Sequence, residues 1–390
     1  LGGGDPPLAK RLWSLLVSKA PESAWAWRAS ARLAAPVMTH ARLDWPAAEV
    51  LEACRATVYR PLPAEDRRPA ARADALAFVL ASQRPDGSWP SPWELGLGPD
   101  NAFTTAYAAI CTRALAGAGG PEATAAAARG LRFLCRALRR PAPSGGHMDY
   151  RVWAHAYAAR CLARCLDAGL GDAAELRALL REQVDALVGL QRPSGGWTYL
   201  LGAAGELSIS FVTAAVLLAL GDARDVGVEV PAPALARALD RLEAMRLDDG
   251  GYAYLGGPAG NQPGPLPGAA GRAPLCALAL QRWGRLDLAG LRAGLDTFVT
   301  HRAALWAERG KVLMHTGPEA QGSHYLLFDL SCAAEAVAAL PPGERAPWSA
   351  PLHELLDGLH TAGGAFVDTP LLGPCVGSGF ALEVLAVQGR

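Results

Sequence analysis

The stretch Leu187–Leu200 (LVGLQRPSGGWTYL) points to the fold of the whole chain, because variants of it recur along the 390 residues. Each copy consists of the end of a predicted helix, a Gly-rich turn and an aromatic residue. The clearest other copies are Leu76–Trp89 (LAFVLASQRPDGSW) and Leu242–Leu255 (LEAMRLDDGGYAYL), and weaker copies surround Gly146, Gly310–Tyr325 and Gly364. A unit that recurs about every 50–65 residues indicates a helical repeat architecture.

Two kinds of helix flank each turn. The helix before the turn carries charge on one face, as in Glu175–Gln191, so one of its sides faces solvent. The helix after the turn is apolar nearly all round, as in Ser210–Leu220 (SFVTAAVLLAL), and must be buried on all sides. The sequence therefore predicts an all-α fold, an (α/α)6 toroid of six outer around six inner helices, over residues 66–390. Residues 1–65 are predicted to form a helical N-terminal extension.

The turns predict a structural role for their Gln and Trp residues. Gln83 and Gln191 stand in the last turn of an outer helix, and Trp89 and Trp197 follow them. We expect each Gln amide to satisfy helix-terminal backbone groups, while the indole ring packs over the end of the helix.

Composition excludes several classes of protein. The 37 basic and 37 acidic residues give a net charge of +0, so nucleic acid is not expected as a partner. Scattered Gly and Pro and a hydrophobic content of 51% exclude collagen-like and disordered chains. No apolar run approaches the roughly 18 residues that span a bilayer.

The eight cysteines are dispersed, mostly in helical text, and no Cys-x-x-Cys pair occurs. This pattern favours reduced, buried thiols in a cytoplasmic protein. The chain begins at Leu1 rather than Met, so an exported location stays open.

The N-terminal segment allows two interpretations. Leu8–Ser18 (LAKRLWSLLVS) is amphipathic, and the region around it is rich in Trp. Such a helix can lie in a membrane interface, which would make the protein a peripheral membrane protein. The same pattern fits a helix packed over one mouth of the barrel.

The repeats resemble those of a known superfamily. Gln83-Arg-Pro-Asp-Gly-Ser-Trp89 and Gln191-Arg-Pro-Ser-Gly-Gly-Trp197 look like the Gln–Trp repeat of squalene–hopene and oxidosqualene cyclases. The helix-turn unit is similar to that of protein prenyltransferase β subunits. The stretches Gly268–Leu280 and His315–Tyr325 resemble bacterial prenyltransferase/squalene-oxidase repeat proteins in particular. The resemblance covers roughly residues 70–388 and implies the α/α toroid fold and an isoprenoid or other apolar chain as substrate.

The catalytic motifs of those families are not present. Class II terpene cyclases protonate an alkene with an Asp-x-Asp-Asp motif, and the chain has none. Protein prenyltransferases hold zinc with an Asp-x-Cys pair and a His, and no Asp-x-Cys occurs near the inner helix starts. The resemblance therefore transfers no catalytic residue to this chain.

Chemistry is expected where the inner helices begin, because their N-terminal N–H groups line one end of the cavity and favour anions. The candidate substrate-binding residues at these starts are Asn101, Tyr107, Tyr150, Trp153, His155, Glu206, Arg272 and Tyr325.

The first catalytic candidate is Asp149, with His147 close by. Asp149 and Trp153 stand at i and i+4 and can share a helix face with Tyr150. An acid with a raised pKa beside aromatic rings suits a proton donor whose product is a cation. Alternatively, Asp149 caps the helix and the two rings pack in the core.

The second candidate is the pair His324 and Asp329. An interior Asp in apolar text is costly unless it is paired, so Asp329 needs a partner such as Arg272 or a His. A structural ion pair and a functional role both remain open. Zinc or magnesium is a further option, with His315, His324 and Cys375 as weak zinc-ligand candidates.

These features support two predictions of function. The first is a cyclase-like or prenyltransferase-like enzyme acting on an isoprenoid or other apolar chain in the central cavity. The second is a non-catalytic toroid that binds a peptide, a lipid or a partner protein.

Overall fold

The computed structural model of the protein describes residues 6–19, 29, 68–92, 101–140, 148–201, 206–262, 264, 266–309, 325–361, 363–369 and 372–387. The predicted site residues His147, His315 and His324 lie outside these ranges. The domain boundaries at 1–65 and 66–390 stay a prediction, since most of the chain between residues 20 and 67 also lies outside them.

The structure is built almost wholly from helices. The helices are α1 (Pro6–Lys19), α2 (Arg68–Ala81), α3 (Ala102–Ala118), α4 (Pro121–Leu138), α5 (Arg151–Asp167), α6 (Ala173–Gly189), α7 (Ser210–Asp225), α8 (Ala232–Ala244), α9 (Ala273–Arg282), α10 (Leu288–Thr300), α11 (Arg302–Ala307), α12 (Leu326–Ala338), α13 (Ala346–Asp357) and α14 (Gly373–Ala386). Short 3-10 turns span Gly268–Arg272 and Pro342–Glu344. The strands β1 (Ser208–Ile209), β2 (Leu255–Gly257) and β3 (Gly260–Asn261) form one small antiparallel sheet.

The helices form two concentric layers. In the described part of the chain, the inner ring consists of α3, α5, α7, α9, α12 and α14; each contacts the next, and α14 contacts α3 to close the ring. The outer helices α2, α4, α6, α8, α10 and α13 pack against this ring. The inner helices are buried on nearly every side, as their apolar sequences require. The predicted (α/α)6 toroid is therefore confirmed.

The recurring turn holds the two layers together as expected. The Gln191 side-chain amide donates to the carbonyls of Gly195 and Ala234, both at 2.7 Å, and so ties the turn to the next outer helix. The Trp197 indole N–H donates to the Leu187 carbonyl at 2.6 Å, and its ring is fully buried. Gln83 and Trp89 repeat the arrangement one hundred and eight residues earlier. The turn is thus a structural motif.

A network of buried charges crosses the ring near the C-terminal halves of the inner helices. Arg160 on α5 pairs with Asp222 on α7, at 2.8 Å, and with Glu335 on α12. Arg282 on α9 pairs with Asp222 at 2.6 Å, and an Arg113–Glu383 pair joins α3 to α14. Because Arg160 on α5 reaches Glu335 on α12 across the ring, the network closes the interior at this end.

None of the helices in the described ranges is both long and apolar enough to cross a bilayer.

Candidate active site

In three of the repeats, one position in the turn contacts the beginning of an inner helix. It lies two residues after the aromatic residue of the turn, and Tyr199, Tyr254 and Asp368 occupy it in three repeats. The Tyr199 carbonyl accepts the N–H of Asp149 at 2.7 Å, and the Tyr254 carbonyl accepts the N–H of Ser210 at 3.2 Å. In the last repeat the acceptor is the side chain of Asp368 instead of its backbone carbonyl. The toroid thereby gathers these three side chains at the N-terminal end of the inner ring.

Asp368 is a buried carboxyl at the start of α12. Its Oδ2 accepts the backbone N–H of Leu327 at 2.8 Å, so the side chain caps that helix from the next repeat. Burial raises the pKa of Asp368 to about 7, although hydrogen bonds from the backbone N–H groups of Leu327 and its neighbours favour the anion. Asp368 therefore changes its charge close to neutral pH.

Asp329 lies one turn into α12 and is also buried, at 3% exposure. Burial raises the pKa of Asp329 well above its usual value, and the nearby Asp368 carboxyl raises it further, while Arg272 opposes the shift. No described residue makes a hydrogen bond with its Oδ2. Burial therefore favours the neutral, protonated form of the Asp329 carboxyl, which has a proton to donate.

Arg272 is the cation of the site. It is buried at the start of α9, where its Nε donates to the Tyr252 carbonyl at 2.7 Å and its guanidinium lies 5.6 Å from the Tyr254 ring centre. Its charge lowers the pKa of Asp329, but burial and Asp368 outweigh this effect. The predicted proximity of Arg272 and Asp329 is thus observed, without a direct ion pair between them.

Aromatic side chains extend from this acid pair into the barrel. The rings of Tyr150 and Tyr199 are 5.4 Å apart, and the Tyr199 and Tyr254 hydroxyls share a hydrogen bond of 2.6 Å. Burial and the nearby Tyr150 and Asp368 raise the pKa of Tyr325, which places its phenol at the same end. These phenols all stay protonated at neutral pH.

Farther inside, the wall is formed by rings without charge. Trp153 lies at its centre, 6.0 Å from each of the rings of Tyr157, Phe211 and Phe328. Phe380 joins Phe328 at 6.1 Å. A small cavity of about 10 Å³, with room for about one water molecule, lies among these rings. It is lined by Trp153, Tyr157, Phe328 and Phe380, and also by the charged side chains of Arg113, Arg160 and Glu383.

The titration of Asp368 predicts a pH-dependent stability. The folded-state pKa of about 7 exceeds the ordinary value of 3.8, so the folded protein binds the proton more tightly than the unfolded chain. The free energy of unfolding should fall as pH rises from about 4 to 7, by up to about 4 kcal/mol from this group. Urea unfolding between pH 5 and 8.5 measures the change, and Asp368→Asn should flatten the profile. A variant with the same slope as the wild type would contradict the assignment.

Asp149 does not have the environment predicted for a proton donor. Burial opposes its ionisation, but hydrogen bonds and the charge of Arg151 outweigh burial and hold the pKa of Asp149 below its usual value. An acid that stays ionised cannot donate a proton at neutral pH, so the expected raised pKa is wrong. Its neighbours Tyr150 and Trp153 do belong to the aromatic wall.

Four of the predicted binding residues have other contacts. Asn101 caps α3, where its Oδ1 accepts the N–H groups of Phe103 and Thr104. Tyr107 is buried at 2% exposure in the core. His155 faces the outer helix α6, where its Nδ1 lies 2.8 Å from Gln183 Oε1, and Glu206 is exposed. Successive residues of an α-helix point about 100° apart, so a side chain on an inner helix can face the outer layer instead of the cavity.

The metal prediction stays open. Cys375 is buried on α14, where its carbonyl oxygen lies 3.5 Å from the Cys111 thiol. Groups of three His, Cys, Asp or Glu side chains that could hold a metal ion are not found among the described residues. His315 and His324, the other proposed ligands, lie outside those residues.

Sequence reasoning missed Asp368, Tyr199, Tyr254 and Phe328. Aligning the turns on their aromatic residues would have found the first three, since all stand two positions after it. Phe328 carries no such signal, because inner-helix sequences are apolar all round.

Comparison with known proteins supports the fold alone. The sequence matches no protein-family model, and the search of curated proteins gave no match. Cellobiose 2-epimerase from Spirochaeta thermophila aligns with a TM-score of 0.55 and 17% identity, over 84% of this chain and 98% of that chain. A variant of the type II terpene cyclase MstE from Scytonema, in complex with its product merosterolic acid A, aligns with a TM-score of 0.51 and 14% identity, over 83% and 97%. The chain therefore has the α/α toroid fold that these enzymes share.

Proposed function

We propose that the protein is a cyclase-like enzyme that protonates a carbon–carbon double bond of an isoprenoid or similar apolar chain. The observation that carries the proposal is Asp329, a buried carboxyl whose pKa is raised by burial and which lies at the head of an aromatic wall. The proposal keeps the reaction class expected from the repeat sequence and assigns a different acid.

Asp329 has the properties that alkene protonation requires. An alkene is a very weak base, so its proton donor must be a neutral acid that solvent does not ionise. Burial favours the neutral form of Asp329, and the nearby Asp368 carboxyl disfavours a second negative charge. Arg272 stabilises the carboxylate that remains after the proton has left, because it lowers the pKa of Asp329.

The aromatic wall suits the product of this step. Protonation transfers the Asp329 proton to one alkene carbon, and the π electrons form the new C–H bond. The other alkene carbon becomes a cation, which a second double bond of the chain can attack to close a ring. The faces of Trp153, Phe211 and Phe328 present negative charge density and stabilise such a cation. Loss of a proton from carbon ends the reaction.

The same wall argues against a sugar as substrate. Sugar hydroxyls buried in a pocket need hydrogen-bonding partners, and an unpaired one costs about 1–3 kcal/mol. Trp153 and Phe328 offer ring faces at the centre of the barrel. The charged side chains that also line this cavity, those of Arg113, Arg160 and Glu383, are already engaged in ion pairs. Since the cavity between these rings is small, an apolar chain must displace some of them when it enters.

Incubation in heavy water tests the proposal. The purified protein is incubated in D2O with squalene, geranylgeraniol and farnesyl diphosphate, and the products are identified by mass spectrometry. We expect a cyclic isomer that contains one deuterium on carbon, because the acid exchanges its proton with solvent. Conversion without deuterium would contradict protonation, and release of diphosphate without deuterium would favour prenyl transfer. Recovery of all three chains unchanged would favour the non-catalytic binding role.

A further inference from the structure

We propose a second ligand site at the opposite end of the toroid, which binds an amphiphilic anion: a carboxylate or phosphate head with a short apolar chain. The site lies between Arg72 and Arg164, at the C-terminal ends of the inner helices. It is independent of the acid pair and of the proposed reaction.

The site is a pocket of about 310 Å³. It opens among the C-terminal turns of α3, α5, α12 and α14, with α2 at its edge. A volume of this size is at the lower end of the range for small-molecule sites. One part of its wall is apolar and consists of Ala114, Ala118, Ala338, Leu382, Ala386 and Val387.

The carboxylates in the pocket are already neutralised. Glu383 pairs with Arg113, and Glu335 pairs with Arg160 and lies 3.9 Å from Arg113. Arg160 in turn is shared with Asp222. Because Arg282 also pairs with Asp222, the three carboxylates are balanced by Arg113, Arg160 and Arg282, so the floor of the pocket adds no net charge.

Arg72 and Arg164 add two positive charges to this neutral floor. The Arg72 guanidinium donates to the Ala118 carbonyl at 2.9 Å, and among the described residues it has no carboxylate partner. Arg164 lies beside Gly117, where a Cβ atom would come within 3.3 Å of its Nη2. A guanidinium has five N–H donors and binds carboxylate or phosphate oxygens in pairs. The two arginines therefore leave donors for an anion at the rim.

Arginine near a helix C-terminus often serves only to cap carbonyl groups. Arg302 is such a residue: it is exposed, and its Nη1 donates to the Val299 carbonyl at 2.9 Å. Arg72 and Arg164 differ from it because an apolar pocket lies in front of them. The combination of cationic rim and apolar wall favours an anion with a hydrocarbon part over a bare anion.

Isothermal titration calorimetry of the full chain with octyl phosphate, octanoate and inorganic phosphate tests this site. We expect both amphiphiles to bind at least tenfold more tightly than inorganic phosphate. Arg72→Gln and Arg164→Gln should each weaken binding at least tenfold, and Ala386→Leu should block it by filling the pocket from its exposed edge. Arg302→Gln should bind like the wild type.

Three results would overturn the proposal. The first is that neither amphiphile binds. The second is that binding survives both Arg164→Gln and Ala386→Leu, which would place the chain in the central cavity. The third is that inorganic phosphate binds as tightly as octyl phosphate. Because Arg164 and Ala386 are exposed, both variants are expected to fold, as a thermal melt will show.

Discussion

Replacing Asp329 with asparagine is expected to abolish turnover of an alkene substrate and to leave the protein as stable as the wild type or more stable. The amide has the shape of the acid but no proton to donate, and loss of a positioned general acid costs about 10²–10⁴-fold in rate. Stability should not fall, because a buried carboxyl with a raised pKa destabilises the folded state at high pH. The measurements are kcat with the isoprenoid that the wild type converts, and urea unfolding at pH 8.

Asp149→Asn is the matched control, since Asp149 is the acid that the sequence favours. It is ionised by its pairing with Arg151 and should retain most of the activity when it is replaced. If Asp149→Asn were inactive and Asp329→Asn active, the assignment of the acid would be wrong. If Asp329→Asn unfolded the protein, its carboxyl would be structural.

Replacing Arg160 with methionine is expected to lower the free energy of unfolding by about 3–5 kcal/mol. Arg160 is 7% exposed and faces two carboxylates, Asp222 and Glu335. Burial disfavours ionisation of both acids, but Arg160 and its neighbours outweigh burial and hold the pKa of each below its usual value. Without Arg160 the two carboxylates remain buried but lose a charged partner, so part of their desolvation cost is no longer offset. Chemical denaturation at pH 7 measures the loss.

Arg285→Met is the control for this second variant. Arg285 also pairs with two carboxylates, Asp240 at 2.8 Å and Glu243 at 2.6 Å, but the three side chains are exposed to solvent. Exposed ion pairs contribute little to stability because water screens them, so this substitution should have little effect. The loss for Arg160→Met should also shrink as pH falls and the two acids become protonated. Equal losses for the two variants would show that burial of the network does not matter.

The repeat pattern was sufficient to predict the toroid. Gly195, Gln191 and Trp197 act through contacts close in sequence or one repeat away, so a local motif determines them. The apolar inner helices follow from composition as well, because a helix without a polar face has to be buried. The six-repeat ring is then the arrangement that covers every apolar face.

The candidate site was predicted only in part. Arg272 lies close enough to Asp329 to lower its pKa, but the ion pair that the sequence suggested between them is not formed. Asp149 was misjudged because the sequence does not show that the Arg151 side chain folds back to pair with it. The acidity of a carboxyl depends on its neighbours and its burial, which are properties of the folded chain.

The amino-acid sequence alone therefore established the all-α repeat fold, the role of the Gln–Trp turns and the end of the barrel where chemistry was expected. Tertiary structure alone brought Asp368 from the last turn beside Asp329 on α12, and it set Arg72 and Arg164 around one pocket. The reason is physical: helix periodicity and turn chemistry act between residues close in the chain, whereas a pKa or a binding pocket arises from groups that only ring closure brings together.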